Sequence, residues 1–250
     1  MLEICLILSI LGFGLIIGSF INVCILRIPK NESIIFPGSH CVICKTPLKV
    51  MDLIPIISYA LLLGRCRYCG SCISVRYPVV ELLTALILLI SFLVAPLEKL
   101  MEVLMFVVFL LVISIIDYDY QLILDKILIW FAIAGVIFNT LINNTIVLDI
   151  LWGSVAGGAI LFLIALLTKG GMGGGDIKFM AALGLWLGLK LTLLTLFLSF
   201  VIGGIGSLLL LALKIKGRKD FIPFGPFIAV AAFISMLYGH EIITWYLSLL

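Results

Sequence analysis

Lys169-Gly170-Gly171-Met172-Gly173-Gly174-Gly175-Asp176 is the stretch from which the fold of this chain can be worked out. It contains five glycines, ends in a carboxylate and lies between two long apolar segments. Glycine-rich backbone is costly to order, and at membrane depth it persists only where protein or water covers it. A carboxylate at that depth is expensive in lipid, which makes Asp176 a candidate functional residue. The competing interpretation is a flexible surface loop with a solvated aspartate.

Composition favours the membrane interpretation. Of the 250 residues, 64% are hydrophobic and only 12% are charged, and the mean hydropathy is +1.37. Apolar runs of about 20 residues, the length that crosses a bilayer as a helix, recur along the whole chain. The basic residues lie in loops without interleaved aromatic residues, so we expect no nucleic acid binding. The sequence therefore predicts a polytopic membrane protein whose surroundings are the lipid bilayer.

The apolar runs predict an all-α fold with about eight transmembrane helices. The predicted spans are residues 4–26, 78–96, 100–117, 126–143, 149–168, 176–189, 191–213 and 222–240. The sixth is short. One large polar insert separates the first span from the second. We therefore divide the chain into a first span (1–26), an insert (27–77) and a transmembrane core (78–250).

The distribution of lysine and arginine predicts which loops face the cytosol. If the insert is cytosolic, strict alternation across the spans also places the basic loop at residues 214–219 in the cytosol. Of the 16 basic residues only Lys99 and Lys190 then fall outside, which leaves 14 inside. In this topology both termini face outward, and Asp117 and Asp176 lie at the cytosolic face.

The insert carries two cysteine pairs, Cys41-x-x-Cys44 and Cys66-x-x-Cys69. The cytosol keeps thiols reduced, so we do not interpret the pairs as disulfides. Two C-x-x-C knuckles at this separation are typical of a four-thiolate zinc site, and a small insert with few large apolar side chains needs such a staple. We predict one structural zinc ion bound by these four cysteines, with free or redox-active thiols as the alternative. His40 and Cys72 are spare ligands nearby.

Three acids cluster at the end of the third predicted span. Asp117 directly follows the apolar run and is the most deeply embedded, whereas we interpret Asp119 and Asp125 as solvated residues of a helix end. Asp117 is therefore the best partner for Asp176. Two carboxylates from separate segments predict an aspartic dyad, in which one shared proton leaves a base to activate water and an acid to polarise the scissile carbonyl. No H-E-x-x-H or G-x-S-x-G motif offers an alternative.

Other polar or small residues interrupt the apolar spans. In Gly18-Ser19-Phe20-Ile21-Asn22-Val23, the small residues predict close helix packing, and Asn22 can form a hydrogen bond to another helix. Glu81 lies near the membrane interface, where it pairs with Arg76, reaches water or contacts a ligand. Pro223-Phe224-Gly225-Pro226 predicts a broken helix start that lines the mouth of the active site.

Taken in order, these motifs resemble the type IV prepilin peptidases over nearly the whole chain. The resembling stretches are residues 18–23, 27–29, 39–41, 54–59, 64–69, 73–81, 173–178 and 222–227. Residues 173–176 resemble the catalytic G-x-G-D motif, and Cys72 falls where the family pattern is free. The family usually has an Ile-Pro-Asp-like turn after its first catalytic aspartate, whereas this chain has Leu122-Ile123-Leu124-Asp125. Tyr118-Asp119 also resembles the Tyr-Asp motif of presenilin-type proteases, so Asp119 stays an alternative to Asp117.

The resemblance implies an aspartic endopeptidase of the inner (cytoplasmic) membrane that serves type IV pili, type II secretion or competence. Its substrates would be prepilins and pseudopilins, cleaved at the cytosolic face by Asp117 and Asp176. Many members then methylate the new N-terminal residue with S-adenosylmethionine. The insert and Glu81 match this methylating branch, although the chain contains no fingerprint for the methyl donor.

Two other classes of protein compete with this interpretation. A preflagellin-type or other G-x-G-D intramembrane protease without methyltransferase activity would share the two aspartates, but it typically lacks the cysteine insert. A non-catalytic assembly protein of a secretion machine would keep the zinc-stapled insert, and its Asp117 and Asp176 would merely be solvated.

Overall fold

The computed structural model describes residues 2–143, 145–215, 217 and 221–249. Its α-helices are α1 (Leu2–Arg27), α2 (Ile57–Leu61), α3 (Arg76–Val94), α4 (Leu100–Tyr120), α5 (Asp125–Ile137), α6 (Val147–Leu167), α7 (Gly174–Ala212) and α8 (Gly225–Leu247). Short 3₁₀ turns lie at Ile28–Lys30, Val50–Asp52 and Leu97–Lys99, and a π-helical turn, Phe138–Ile142, follows α5. The described residues form isolated β-bridges but no strand, which confirms the all-α prediction. Within the predicted basic loop, Lys216, Arg218 and Lys219 lie outside the described residues.

Among the described residues, seven helices are long and apolar enough to cross a membrane, which confirms the prediction of a polytopic membrane protein. The five-residue α2 is too short to be one of them. The sixth and seventh predicted spans both lie within α7, which runs for 39 residues. The other predicted spans correspond to one helix each.

α7 consists of two helical arms that meet at Gly188, where φ is 69° and ψ is 179°. A Cβ placed on Gly157 of α6 would lie 3.0 Å from Cγ of Met180 and 2.9 Å from Cγ2 of Thr192. In an unbroken helix Met180 and Thr192 would be about 18 Å apart, at 1.5 Å per residue. The chain therefore reverses at Gly188, and the two arms are the two spans predicted for this region. Glycine adopts this positive φ without the steric cost that a Cβ would add.

Side chains from neighbouring elements satisfy the backbone groups that the break sets free. Nδ2 of the buried Asn139 donates to the carbonyl oxygens of Leu185 and Trp186, each at 2.9 Å. On the other side of the break, the Leu189 N–H donates to Oδ1 of Asp149 at 3.4 Å. Unpaired backbone groups are costly away from water, so these contacts stabilise the reversal.

The chain forms two compact units, Met1–Val112 and Ile113–Leu250. In the second unit α5, α6 and α8 all pack against α7. Trp186 of α7 stacks on Phe131 of α5 with ring centroids 5.2 Å apart, and its Nε1 donates to the Phe131 carbonyl oxygen at 2.8 Å. The finer division at residues 26 and 77 stays a prediction.

In the first unit α1 packs closely against α3. A Cβ on Gly18 would lie 2.6 Å from Cα of Glu81, so only glycine permits this approach of the two backbones. Asn22 Nδ2 donates to the carbonyl oxygen of Tyr77 at 3.1 Å. These contacts agree with the packing and interhelical hydrogen bond expected for residues 18–23.

Candidate active site and metal centre

Both cysteine pairs of the insert lie in loops with the same backbone hydrogen bonds. In each loop, the N–H of the first cysteine donates a hydrogen bond to the carbonyl oxygen of the residue five positions later. The N–H of the residue four positions later donates to the carbonyl oxygen of that first cysteine. This fourth residue has a positive φ in both loops, 59° at Lys45 and 71° at Gly70. The insert therefore contains the same knuckle twice, once around each C-x-x-C pair.

The two knuckles bring four sulfur atoms together, those of Cys41, Cys44, Cys66 and Cys69, all within 4.8 Å of one another. Sγ of Cys41 and Sγ of Cys69 are 3.9 Å apart. A tetrahedral site with zinc–sulfur bonds of about 2.3 Å places its sulfurs about 3.8 Å apart, so these thiols fit zinc. Neither spare ligand, His40 or Cys72, belongs to this cluster, and Nδ1 of His40 lies 3.0 Å from the Gly38 carbonyl oxygen. The predicted set of four cysteines can therefore hold a metal ion.

The loops also set the charge of the thiols. Hydrogen bonds from backbone N–H groups, chiefly that of Cys44, lower the pKa of Cys41 to about 6. The Ser71 hydroxyl lowers the pKa of Cys69. At Cys66 the backbone N–H of Cys69 favours the thiolate, but burial and the thiols of Cys41 and Cys69 raise its pKa. Cys41 is thus a thiolate at neutral pH, the form that binds metal.

Asp52 lies between the two knuckles in sequence, and its carboxylate is hydrogen-bonded to the second knuckle. Its Oδ1 accepts a hydrogen bond from Nε of Arg67 at 2.6 Å, and its Oδ2 accepts one from the Tyr68 hydroxyl at 2.9 Å. The N–H of Lys49 donates to the same carboxylate at 3.1 Å. Arg67, followed by Tyr68, lowers the pKa of Asp52, which keeps the carboxylate charged.

Asp117 lies buried in the last turn of α4, with 6% of its surface exposed. Residues 221–224 are not helical, and α8 begins at Gly225, as predicted for Pro223-Phe224-Gly225-Pro226. The Gly225 N–H donates to Oδ2 of Asp117 at 3.0 Å. The first N–H groups of a helix have no partner within it, so the broken start of α8 supplies a free donor to this carboxyl. This contact was not predicted from the sequence.

Asp176 lies in the first turn of α7 with 8% of its surface exposed. The Gly173 N–H donates to its carboxyl, which also interacts electrostatically with Asp117. A Cβ on Gly173 would lie 2.9 Å from Oδ2 of Asp176, whereas one on Gly174 would meet nothing within 4 Å. The two predicted aspartates thus interact electrostatically in the second unit, and a side chain at position 173, but not at 174, would crowd the Asp176 carboxyl.

The other two acids near α4 are exposed. Asp119 lies in the last turn of α4 with its side chain on the surface. Both carboxylate oxygens of Asp125, the first residue of α5, accept hydrogen bonds from Nζ of Lys178 at 2.8 Å. This ion pair, which was not predicted, joins the start of α5 to the first turn of α7 beside Asp176. The one feature of the sequence that pointed to this ion pair was the position of Lys178, two residues after Asp176.

Glu81 is buried in the second turn of α3. Its Oε2 accepts a hydrogen bond from the Ile56 N–H at 2.8 Å, and the Ser19 hydroxyl also hydrogen-bonds to this carboxyl. Ile56 has a φ of 59°, which is rare for a β-branched residue. Glu81 therefore joins a strained point of the insert to helix α3, a contact that was not predicted from the sequence.

The fold and these sites define a polytopic α-helical membrane protein with a cluster of four cysteines that could hold a metal ion and with two buried aspartates. Residues 12–95 match the family model described as the bacterial peptidase A24 N-terminal domain, and residues 104–208 match that of the type IV leader peptidase family. The chain belongs to the type IV leader peptidase family. This confirms the resemblance seen in the sequence.

The chain is similar to curated proteins named prepilin leader peptidase/N-methyltransferase, among them the following three. The relative from Aeromonas salmonicida (strain A449) is 35% identical over 94% of this chain and 92% of its own length. The relative from Bacillus subtilis (strain 168) is 36% identical over 95% of this chain and 96% of its own. The relative from Pseudomonas aeruginosa is 33% identical over 94% and 91%, respectively. No solved structure matches the chain significantly.

Proposed function

We propose that this protein cleaves the leader peptide from prepilins and methylates the new N-terminal residue, the two activities in the names of its relatives. The observation that carries the proposal is the pair of buried carboxyls, Asp117 and Asp176, each held by a backbone N–H in the second unit. Carboxylates are expensive in a membrane and are placed there for function. We include pseudopilins among the substrates.

We assign cleavage to these two carboxyls, which together hold one proton. The ionised carboxylate takes a proton from water while the water oxygen bonds to the scissile carbonyl carbon, and the protonated carboxyl donates a hydrogen bond to the carbonyl oxygen. The tetrahedral intermediate then breaks its C–N bond, and the leaving nitrogen takes a proton from a carboxyl. The N–H groups of Gly225 and Gly173 hold the two carboxyls in position during these steps.

We place the protein in the inner (cytoplasmic) membrane with this site facing the cytosol, on the lysine and arginine distribution. The geometry of the second unit supports the alternation of spans on which this orientation rests. The C-terminal turn of α4, the N-terminal turn of α7 and the start of α8 meet at Asp117 and Asp176, as strict alternation requires. The reversal at Gly188 lies at the other end of the first arm of α7.

We propose that the four clustered thiols bind zinc in a structural role. All four positions of a tetrahedral ion would be filled by protein thiolates, which leaves none for a catalytic water. The bound ion would join the two knuckles and so replace the core that an insert of about 50 residues lacks. We expect one zinc ion per chain in protein purified under reducing conditions. The double variant Cys41→Ser/Cys66→Ser should contain no zinc. Metal analysis that finds no zinc in the parent protein would contradict this role.

Methylation needs a donor, and we propose S-adenosylmethionine, which supplies an electrophilic methyl group when bound. We assign no residue of this chain to donor binding. Glu81, the buried carboxylate that matches the methylating branch of the family, accepts hydrogen bonds from the Ile56 N–H and the Ser19 hydroxyl instead.

The experiment that tests cleavage compares three aspartate variants of the full-length protein in proteoliposomes, with a prepilin substrate and isotope-labelled S-adenosylmethionine. Asp117→Asn and Asp176→Asn should each slow leader cleavage by about 10²–10⁴-fold or more, because each removes an acid or base from the transition state. Asp119→Asn is the matched control, two residues from Asp117 but exposed, and should keep substantial activity. Equal zinc content would show that each variant is folded.

The outcomes separate the alternatives. If Asp119→Asn is inactive and Asp117→Asn cleaves normally, the first aspartate is misassigned; if Asp176→Asn cleaves normally, the aspartic mechanism fails. Methylation of an already cleaved pilin should survive both dyad changes if the methyl-transfer site is separate. Cleavage without incorporation of label would favour a protease without methyltransferase activity. If the parent protein showed neither cleavage nor methylation, the result would favour an assembly protein.

A further inference from the structure

The segment between the two knuckles, residues 50–63 and called here the interknuckle segment, has its polar side chains inside and its apolar ones outside. Its sequence, Val-Met-Asp-Leu-Ile-Pro-Ile-Ile-Ser-Tyr-Ala-Leu-Leu-Leu, contains one acidic residue, Asp52, and one serine, Ser58. Asp52 is bound by Arg67 and Tyr68, and the buried Ser58 hydroxyl donates to the Met51 carbonyl oxygen at 2.6 Å. A segment in water would show the opposite arrangement.

The apolar side chains of this segment are among the most exposed in the insert. Leu61 is 79% exposed and Leu63 is 86% exposed, and Val50, Met51 and Ile57 are exposed as well. Contiguous exposed apolar residues mark a surface that contacts a partner or a membrane.

One hydrogen bond fixes the position of the segment along α3. Ile56, in its middle, donates its N–H to Oε2 of Glu81 at 2.8 Å. Glu81 is five residues beyond Arg76, where the spanning helix α3 begins, and is therefore about 7.5 Å along that helix. The interknuckle segment consequently lies beside the first turns of a helix that is long and apolar enough to span a membrane.

The charge around the segment suits a lipid surface. The insert, residues 27–77, contains seven lysines and arginines against two acids, Glu32 and Asp52, which gives a formal charge of 7 − 2 = +5. Lys49 and Arg65 flank the segment directly, and both are exposed. Exposed apolar side chains bracketed by basic residues are the composition of elements that lie in a membrane interface rich in anionic lipid.

We propose that the interknuckle segment is an interfacial membrane anchor. Its exposed apolar side chains, Leu61 and Leu63 foremost, insert between the lipids at the boundary of the acyl chains, and Lys49 and Arg65 contact the phosphates of anionic headgroups. Glu81 and Asp52 hold the segment to α3 and to the second knuckle. The insert is thereby held to the membrane through this segment.

Photocrosslinking to lipid tests this anchor in the full-length protein. p-Benzoylphenylalanine is placed at Leu61 or at Leu63 in protein reconstituted into nanodiscs of phosphatidylethanolamine and phosphatidylglycerol. The matched control is Val42, which is 70% exposed but lies between the two cysteines of the first knuckle. After irradiation, mass spectrometry counts the protein that carries one phospholipid, in variants that retain the metal content of the parent.

We expect phospholipid adducts at Leu61 and Leu63 at several times the yield at Val42. Equal yields at all three sites would show that exposure alone explains labelling, and crosslinks to another part of the chain would show that protein covers the segment; either result overturns the proposal. The double change Lys49→Gln and Arg65→Gln should lower the ratio of phosphatidylglycerol to phosphatidylethanolamine adducts at Leu61. An unchanged ratio would overturn the assignment of the headgroup contacts.

Discussion

Replacing Gly225 with alanine tests whether the start of α8 positions Asp117 for catalysis. The new Cβ would lie 2.5 Å from Oδ2 and 3.0 Å from Cγ of Asp117. Close carbon–oxygen contacts in proteins are about 3.3 Å, so the carboxyl has to move by about 0.8 Å and lengthens its bond to the Gly225 N–H. A displacement near 1 Å in an active site costs about 10²-fold in rate, which corresponds to about 2.7 kcal/mol of activation free energy.

The assay is kcat/KM for leader cleavage by the purified full-length protein in proteoliposomes. Gly204→Ala in α7 is the matched control, because a Cβ there meets nothing within 4 Å. We expect this control to keep wild-type activity while Gly225→Ala loses about two orders of magnitude. Alanine is favoured over glycine in a helix, so both variants should fold, and their zinc content and melting temperature check this. A Gly225→Ala protein with wild-type kcat/KM would refute the view that Asp117 acts where the start of α8 holds it.

Two further predictions concern the glycine loop and the insert. Gly173→Ala should lower the cleavage rate far more than Gly174→Ala, because only at position 173 would a Cβ approach Asp176, at 2.9 Å from its Oδ2; equal rates for the two variants would contradict the role of this contact. Asp52→Asn should destabilise the insert at neutral pH. Since Arg67 lowers the pKa of Asp52 in the folded protein, its contribution is complete above the unfolded pKa of about 3.9 and is lost as the pH falls through the folded pKa. The difference in urea midpoint between variant and parent should therefore shrink in acid, and a difference that stays constant with pH would count against this ion pair.

The metal site could be predicted from the sequence because its geometry is mostly local. Each C-x-x-C pair forms its own loop, in which the chain needs a positive φ only four residues after the first cysteine. Glycine at position 70 supplies that conformation at little cost, and Lys45 adopts it in the other loop. The membrane-spanning helices could be predicted for a similar reason, since apolar length acts on each span separately.

The contacts that position the carboxyls could not be predicted, because they join distant parts of the chain. Gly225 and Asp117 are 108 residues apart, and no local pattern states that the N–H of one faces the carboxyl of the other. Lys178 and Asp125 are 53 residues apart, and an exposed acid at a helix start is usually solvated. Glu81 posed the same difficulty, since its partner is the backbone of Ile56, which carries no side-chain signal.

The reversal at Gly188 determines whether the start of α8 can reach Asp117. An unbroken helix of the 39 residues of α7 would be about 58 Å long, about twice the hydrocarbon thickness of a bilayer. Because the chain turns back at Gly188, its second arm returns to the face where Asp176 lies, and α8 starts there with its free N–H at Asp117. Without the reversal, α8 would begin on the far side and Asp117 would lose this donor. Asn139 and Asp149, which satisfy the backbone groups freed at Gly188, therefore help to position the Asp117 carboxyl at the opposite end of the first arm.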